Sequence, residues 1–216
     1  MGSFYKFWCK NTSNIVKYKI KYLFLQAKSL IEGRNGQKSM EKLQVKDKTF
    51  AVSIPEAELL KEVQRVAAEI NRDYEGKEPL FLPVLNGAFM FAADLLREVT
   101  VPCEVSFIKL ASYQGTQTTG AIREVIGLAK DITGRHVIIV EDIVDSGLTM
   151  AHMIETLEAH NPASIAVCSC LVKPAALKVQ VPIHYRCLDI PNDFIVGYGL
   201  DYDGFGRNTR DIYTLV

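Results

Sequence analysis
Val137 to Val140, four consecutive apolar and β-branched residues, run directly into the acids Glu141 and Asp142, and no other feature limits the fold so tightly. An unbroken run of that kind suits a strand covered on both faces, as in a parallel sheet flanked by helices. The acids then fall at the strand's carboxyl end, the edge where open α/β sheets take their ligands. Asp145-Ser146-Gly147-Leu148-Thr149 follows with small and hydroxylated residues, and Met150, Met153, Ile154 and Leu157 recur at helical spacing. The order is buried strand, acidic pair, short turn, helix.

That turn has a definite chemistry. A helix starts with N–H groups that lack internal partners and with the positive end of its dipole, so Ser, Gly and Thr placed there can wrap a phosphate. The acids just upstream would repel a bare phosphate. They make sense if they address another part of the same ligand, and ribose hydroxyls or a bound magnesium ion meet that need.

Taken as an ordered set, Glu141-Asp142-Ile143-Val144-Asp145-Ser146-Gly147-Leu148-Thr149 resembles the ribose-phosphate signature of the type I phosphoribosyltransferases, in the form carried by the hypoxanthine-guanine (6-oxopurine) enzymes. The resemblance implies a reaction of purine salvage. The 5-phosphoribosyl group of phosphoribosyl pyrophosphate (PRPP) passes to hypoxanthine or guanine with Mg2+, giving IMP or GMP and pyrophosphate. It further implies that Glu141 and Asp142 lie by the ribose hydroxyls and metal, and that Ser146, Gly147, Leu148 and Thr149 hold the 5′-phosphate. Asp145 would stand beside purine N7 as general base; enzymes for adenine or orotate usually lack an acid there. A xanthine-preferring enzyme would share these parts, with Asp193 and Asp201 as the positions to watch. A nucleic-acid-binding regulator can also be built on the same fold.

Elsewhere the chain alternates strand and helix patterns. Ser53-Ile54-Pro55-Glu56 supplies a capping box, and Leu59, Leu60, Val63, Val66, Ala67 and Ile70 stripe the helix after it. Leu80 to Leu85 is a strand candidate whose Pro83, lacking a donor, suits an edge or irregular position. For Leu85-Asn86-Gly87 the resemblance implies a strained turn, often with a non-proline cis peptide, that contacts pyrophosphate; many relatives carry Lys where Asn86 stands. Cys103 to Leu110 reads as one strand, with Val105 and Phe107 alternating against polar neighbours. The uncharged stretch from Ala111 to Gly120 reads as a mobile loop, and its Ser112-Tyr113 matches the family's catalytic lid. Ala163 to Val172 is another apolar strand, ending at Lys173. An ammonium only donates, so Lys173 favours a carbonyl over an amino group, and the resemblance assigns it to the purine 6-oxo oxygen. By the same resemblance Phe194 stacks on the purine and the Ile195 backbone meets the base edge. Asp201 joins the purine site and, with Glu141 and Asp142, the metal, while Arg207 reaches pyrophosphate. Gly204-Phe205-Gly206 is looser than in many relatives.

With 216 residues and 48% apolar content, the chain suffices for one well-buried domain. The expected architecture is α/β: a twisted, mainly parallel sheet flanked by helices, with a small C-terminal hood, over residues 40–216. A net charge of zero conceals an asymmetry, since residues 1–39 hold eight Lys or Arg against one acid. That basic stretch lacks the apolar length of a signal or membrane helix. It is expected to be an extension, disordered or upstream of a true start at Met40. The remainder is acidic overall, so neither nucleic acid nor membrane is expected as a partner. Five cysteines, an odd number without a secretory signal, point to a reducing, cytoplasmic setting. Cys168 and Cys170 are expected on opposite faces of a strand and therefore not to share a metal, and the four histidines show no ligand spacing. The resemblance implies a homodimer or homotetramer.

Overall fold
The structure, a computed structural model, describes residues 42–112, 122–126, 128 and 130–216. The basic extension and Tyr113 of the expected lid lie outside them. In chain order, strands β1 (Lys42–Val45) and β2 (Lys48–Ile54) lead into helix α1 (Glu56–Asp73), then β3 (Leu80–Leu85) and helix α2 (Phe89–Glu98). Strands β4 (Glu104–Val105), β5 (Ile108–Ser112), β6 (Ile122–Ile126) and β7 (His136–Val144) precede helix α3 (Leu148–Glu158). The chain closes with β8 (Ser164–Val172), β9 (Tyr185–Asp189), β10 (Ile195–Val196) and β11 (Ile212–Leu215).

The larger sheet has the order β6-β5-β3-β7-β8-β9, with β4 also paired to β3. Every pairing in it is parallel except β5 with β6. Strand β7 is central because its side chains satisfy two layers at once. Ile138 and Val140 join the cluster of Leu59, Val63 and Ile70 from α1 and Phe91 and Leu95 from α2. Val137 and Ile139, pointing the other way, pack on Met150, Met153 and Leu157 of α3. Full burial of each such side chain contributes about 1.5–3 kcal/mol, so the strand bearing the acidic pair is firmly anchored on both faces. A second, antiparallel sheet, β1-β2-β11-β10, forms the hood. Half of it comes from the N-terminal hairpin.

Several expectations are corrected. Of the two positions expected for Pro83, the edge is ruled out and the irregular one is found: it pairs with Val140 in the sheet's interior, opposite a break between strands. Ser106 N–H donates to Phe81 O, so by alternation the Pro83 nitrogen faces the same side, where β4 has ended and β5 has not begun. The missing donor therefore breaks no ladder bond. The single strand expected over Cys103 to Leu110 is split into β4 and β5, leaving Val105 and Phe107 exposed. Ser53 does not cap α1; its hydroxyl donates to Ile212 O at 3.2 Å. The cap is long-range, with Glu56 N–H donating to Asp211 Oδ1 at 2.7 Å. Cys168 and Cys170 do not straddle the sheet, because residues two apart on a strand share a face. Both are buried in one cluster with Cys187. No helix among the described residues is long and apolar enough to cross a membrane.

Candidate active site
The parallel register of β7 and β8 brings the key polar pair together. Val144 lies opposite Val172, so the next residues outward, Asp145 and Lys173, are neighbours at the sheet's carboxyl edge. Lys173 Nζ donates to Asp145 Oδ2 at 3.0 Å. The residue Lys173 is only 8% exposed, and an ammonium so far from water needs a charged partner. The Asp145 carboxylate, about half exposed, faces the opening.

That opening is a cleft of about 330 Å³ beyond the carboxyl ends of β3 and β7. Leu85 and Gly87 form one wall, and Glu141, Asp142 and Asp145 the floor. Ser146, Gly147 and Thr149 supply the turn, and Asp201 and Arg207 reach in from the hood side. Val84, Ile143, Val144 and Met150 also line it; as apolar residues inside a strand or helix pattern, they gave no signal of this in the sequence. Asn86 and Leu148 do not line it, and Leu148 is half exposed. Ser112 ends β5, paired with Ile122.

Helix α3 starts from Gly147, whose φ of +78° is left-handed, and carries no side-chain cap bond. A Cβ at Gly147 would come within 2.9 Å of Val179 O, so the turn admits only glycine. The Leu148 N–H donates to Ser146 Oγ at 3.4 Å, and the first turn of the helix, through Gly147 and Thr149, borders the cleft.

Glu141 and Asp142 form an acid pair under strain. Burial pushes the Glu141 carboxyl well above the ordinary carboxylate range, and the charge of Asp142 pushes the same way. Asp142 N–H donates to Glu141 Oε1 at 3.2 Å, and Ile143 N–H to Asp142 Oδ1 at 2.9 Å. No basic side chain among the described residues counters the upward push on Glu141. Hard oxygen donors left in that condition fit a divalent cation that completes its shell with water and ligand phosphates. Asp201 is engaged otherwise. Its Oδ1 pairs with Arg207 Nη2 at 2.5 Å and its Oδ2 accepts the Gly204 N–H at 2.6 Å. Among the described residues no group of three His, Cys, Asp or Glu side chains is arranged to hold a metal.

A pH dependence follows from the Glu141 shift. Above the ordinary carboxyl pKa the unfolded chain has released the Glu141 proton while the folded protein retains it, so stability falls as pH rises through that window. Glu141→Gln should raise the melting temperature of the metal-free protein by about 3 °C at pH 8. The gain should shrink towards pH 4.5, the ordinary value for the group. Thermal melts across that range check it; a gain independent of pH would show that ionisation is not its source.

Two glycines fix the remaining wall. The Leu85-Asn86 peptide is cis. A Cβ on Gly87 would lie 1.7 Å from Asp142 Oδ2, and one on Gly199 would lie 2.0 Å from Gly87 O. Arg207 Nη1 donates to Gly199 O at 2.6 Å. The contact of Gly199 with Gly87 went unread in the sequence, although Gly197-Tyr198-Gly199 was a visible signal for unusual backbone.

Phe194 and Ile195 stand apart from the cleft. The Phe194 ring, 45% exposed, is held between Phe50 at 6.0 Å and the edge-on Tyr202 at 5.7 Å. Ile195 lines a separate hollow of about 280 Å³ with Ile190 and Asp193. Lys173 is joined to the cleft through Asp145, and the exposed Phe194 ring is not among the residues lining it.

A parallel sheet that delivers an acid pair and a glycine-started anion turn to one edge, with a small hood beside it, defines the phosphoribosyltransferase type of α/β fold. Residues 55–203 match the phosphoribosyl transferase domain. The hypoxanthine phosphoribosyltransferase of Salmonella typhimurium is 43% identical over 157 residues, covering 71% of this chain and 88% of the relative. A crystal structure of a hypoxanthine-guanine phosphoribosyltransferase from Bacillus anthracis superposes with a TM-score of 0.72 at 37% identity, covering 81% of this chain and 100% of that one. A structure of the Trypanosoma cruzi hypoxanthine phosphoribosyl transferase, addressing the role of its C-terminal region in oligomeric state and activity, gives 0.74 at 34% identity, covering 81% and 95%. The chain belongs to the type I phosphoribosyltransferase family, in its hypoxanthine-guanine branch.

Proposed function
We propose that this enzyme transfers the 5-phosphoribosyl group of PRPP to N9 of hypoxanthine or guanine, yielding IMP or GMP and pyrophosphate in purine salvage. The observation that carries the choice of base is Lys173 set 3.0 Å from Asp145 at one sheet edge. A donor-only ammonium beside an acceptor carboxylate complements a purine that offers a 6-oxo acceptor and an N7 proton.

In the reaction the C1′–O bond to pyrophosphate breaks, the C1′–N9 bond forms, and the N7 proton passes to Asp145. C1′ gains oxocarbenium character while negative charge collects on the leaving group, so fixed donors aimed at that group lower the barrier. Arg207 and the Leu85-Asn86-Gly87 turn act there. Ser146, Gly147, Leu148 and Thr149 hold the 5′-phosphate, and Glu141 and Asp142 bind the ribose hydroxyls. Magnesium, when bound, spreads the pyrophosphate charge, and Glu141 and Asp142 are the residues that would hold it. Asp201 would join them only by releasing Arg207. Phe194 stacks on the purine, the Ile195 backbone meets its edge, and Ser112 and Tyr113 close over the centre to exclude water. The protein works as a homodimer or homotetramer in the cytoplasm.

The test is nucleotide formation from hypoxanthine, guanine, xanthine and adenine in competition, with magnesium and with a chelator. IMP and GMP should form only with magnesium, and adenine should be inert. Preference for xanthine, or no purine-dependent release of pyrophosphate together with salt-sensitive RNA binding, would overturn the reading.

A further inference from the structure
Tyr198 has no part in the machinery assigned above, yet its setting is unusual. It is 3% exposed, and its φ of +49° sits between +104° at Gly197 and +101° at Gly199. Left-handed backbone at three consecutive positions, one of them a tyrosine, does not persist without external ties. Backbone bonds supply part of them, Tyr198 N–H to Thr209 O at 3.1 Å and Gly199 N–H to Arg207 O at 2.9 Å. The side chain supplies the rest: its hydroxyl donates to Asp94 Oδ2 at 2.8 Å. Asp94 lies on α2, the helix that begins directly after the Gly87 turn, and its other oxygen is held by Arg97 Nη1 at 2.9 Å. If packing alone mattered at this buried position, a phenylalanine would serve; a desolvated hydroxyl bonded to a carboxylate instead fixes a distance.

What that distance controls is one residue away. Gly199 presses on Gly87 O and accepts from Arg207, which in turn pairs with Asp201. We propose that Tyr198 is a positioning residue whose hydroxyl, tied to Asp94, holds the Gly87 turn and the Gly199-to-Arg207 segment in register. It thereby sets the affinity for the departing pyrophosphate without touching substrate. The inference rests on the phosphoribosyl-transfer reading and adds to it a determinant for one product only.

The experiment compares wild type, Tyr198→Phe and Asp94→Asn as full chains with magnesium, reading the KM for inorganic pyrophosphate in the reverse direction, the affinity for IMP, and the melting temperature. Loss of a hydrogen bond to a charged group should raise the pyrophosphate KM about tenfold in Tyr198→Phe, with IMP affinity changed less than about twofold. Asp94→Asn, whose amide oxygen still accepts, should recover most of the wild-type value. Parallel loss of pyrophosphate and IMP affinity would mean a scaffold role, and an unchanged pyrophosphate KM would mean no role; either overturns the proposal. A wild-type protein that forms no nucleotide overturns the transfer reading and takes the positioning role with it. A working wild type matched by Tyr198→Phe overturns the positioning role alone.

Discussion

Asp145→Asn should lower kcat by about 10²–10⁴, the usual share of a positioned general base, while leaving the KM for PRPP close to wild type. The geometry separates these effects. Asp145 is tied to Lys173 across the sheet edge, whereas the proposed phosphate donors are Ser146, Gly147, Leu148 and Thr149 and the proposed ribose contacts are Glu141 and Asp142. The substitution keeps the side-chain shape, and its amide oxygen still accepts from the Lys173 ammonium at the site of the present 3.0 Å bond. The proton acceptor is lost and the scaffold is largely kept. Steady-state kinetics in the forward direction decide the matter: equal losses in kcat and PRPP affinity would place Asp145 in sugar binding instead of proton transfer.

Gly87→Ala should be comparably severe by a different route. The new methyl would sit 1.7 Å from Asp142 Oδ2 and 2.4 Å from its Cγ. Asp142 cannot simply swing away, because its other oxygen accepts the Ile143 N–H at 2.9 Å. The turn must move, and with it the carbonyl on which Gly199 rests. We expect kcat/KM for PRPP to fall about 10³-fold, since about 4 kcal/mol of leaving-group stabilisation depends on that wall. Gly204→Ala is the control. Its φ is +85° but no atom lies within 4 Å of the added carbon, so stability should drop by about 1 kcal/mol with activity near wild type. Similar activities in the two variants would show that the Gly87 wall is not part of the site.

Much of this site was legible because its elements are local. The β-branched run, the acid pair and the glycine turn of β7 and α3 are consecutive in the chain, and strand burial and helix starts obey short-range rules. What eluded the sequence was set at long range. Pro83 sits mid-sheet because a neighbouring strand breaks where its donor is missing, a property of β4 and β5 and not of β3. Ser53 looked like a cap, but Asp211, 155 residues away from Glu56, takes the helix N–H. Lys173 was read as facing a ligand carbonyl; its tie to Asp145 follows from a register that only the folded sheet fixes. Phe194 was assigned to the base by resemblance; its contacts with Phe50 and Tyr202 likewise join segments far apart in the chain.

The abutting main chains of Gly87 and Gly199 restrict how such an enzyme can diverge. At both positions a Cβ would meet the neighbouring chain, 1.7 Å from Asp142 Oδ2 at Gly87 and 2.0 Å from Gly87 O at Gly199, so this part of the wall admits only glycine. The exposed side chains of Asn86, Asp193 and Phe194 meet no such barrier. A lineage, or a designer, can therefore retune which heterocycle is accepted far more readily than which sugar donor is consumed.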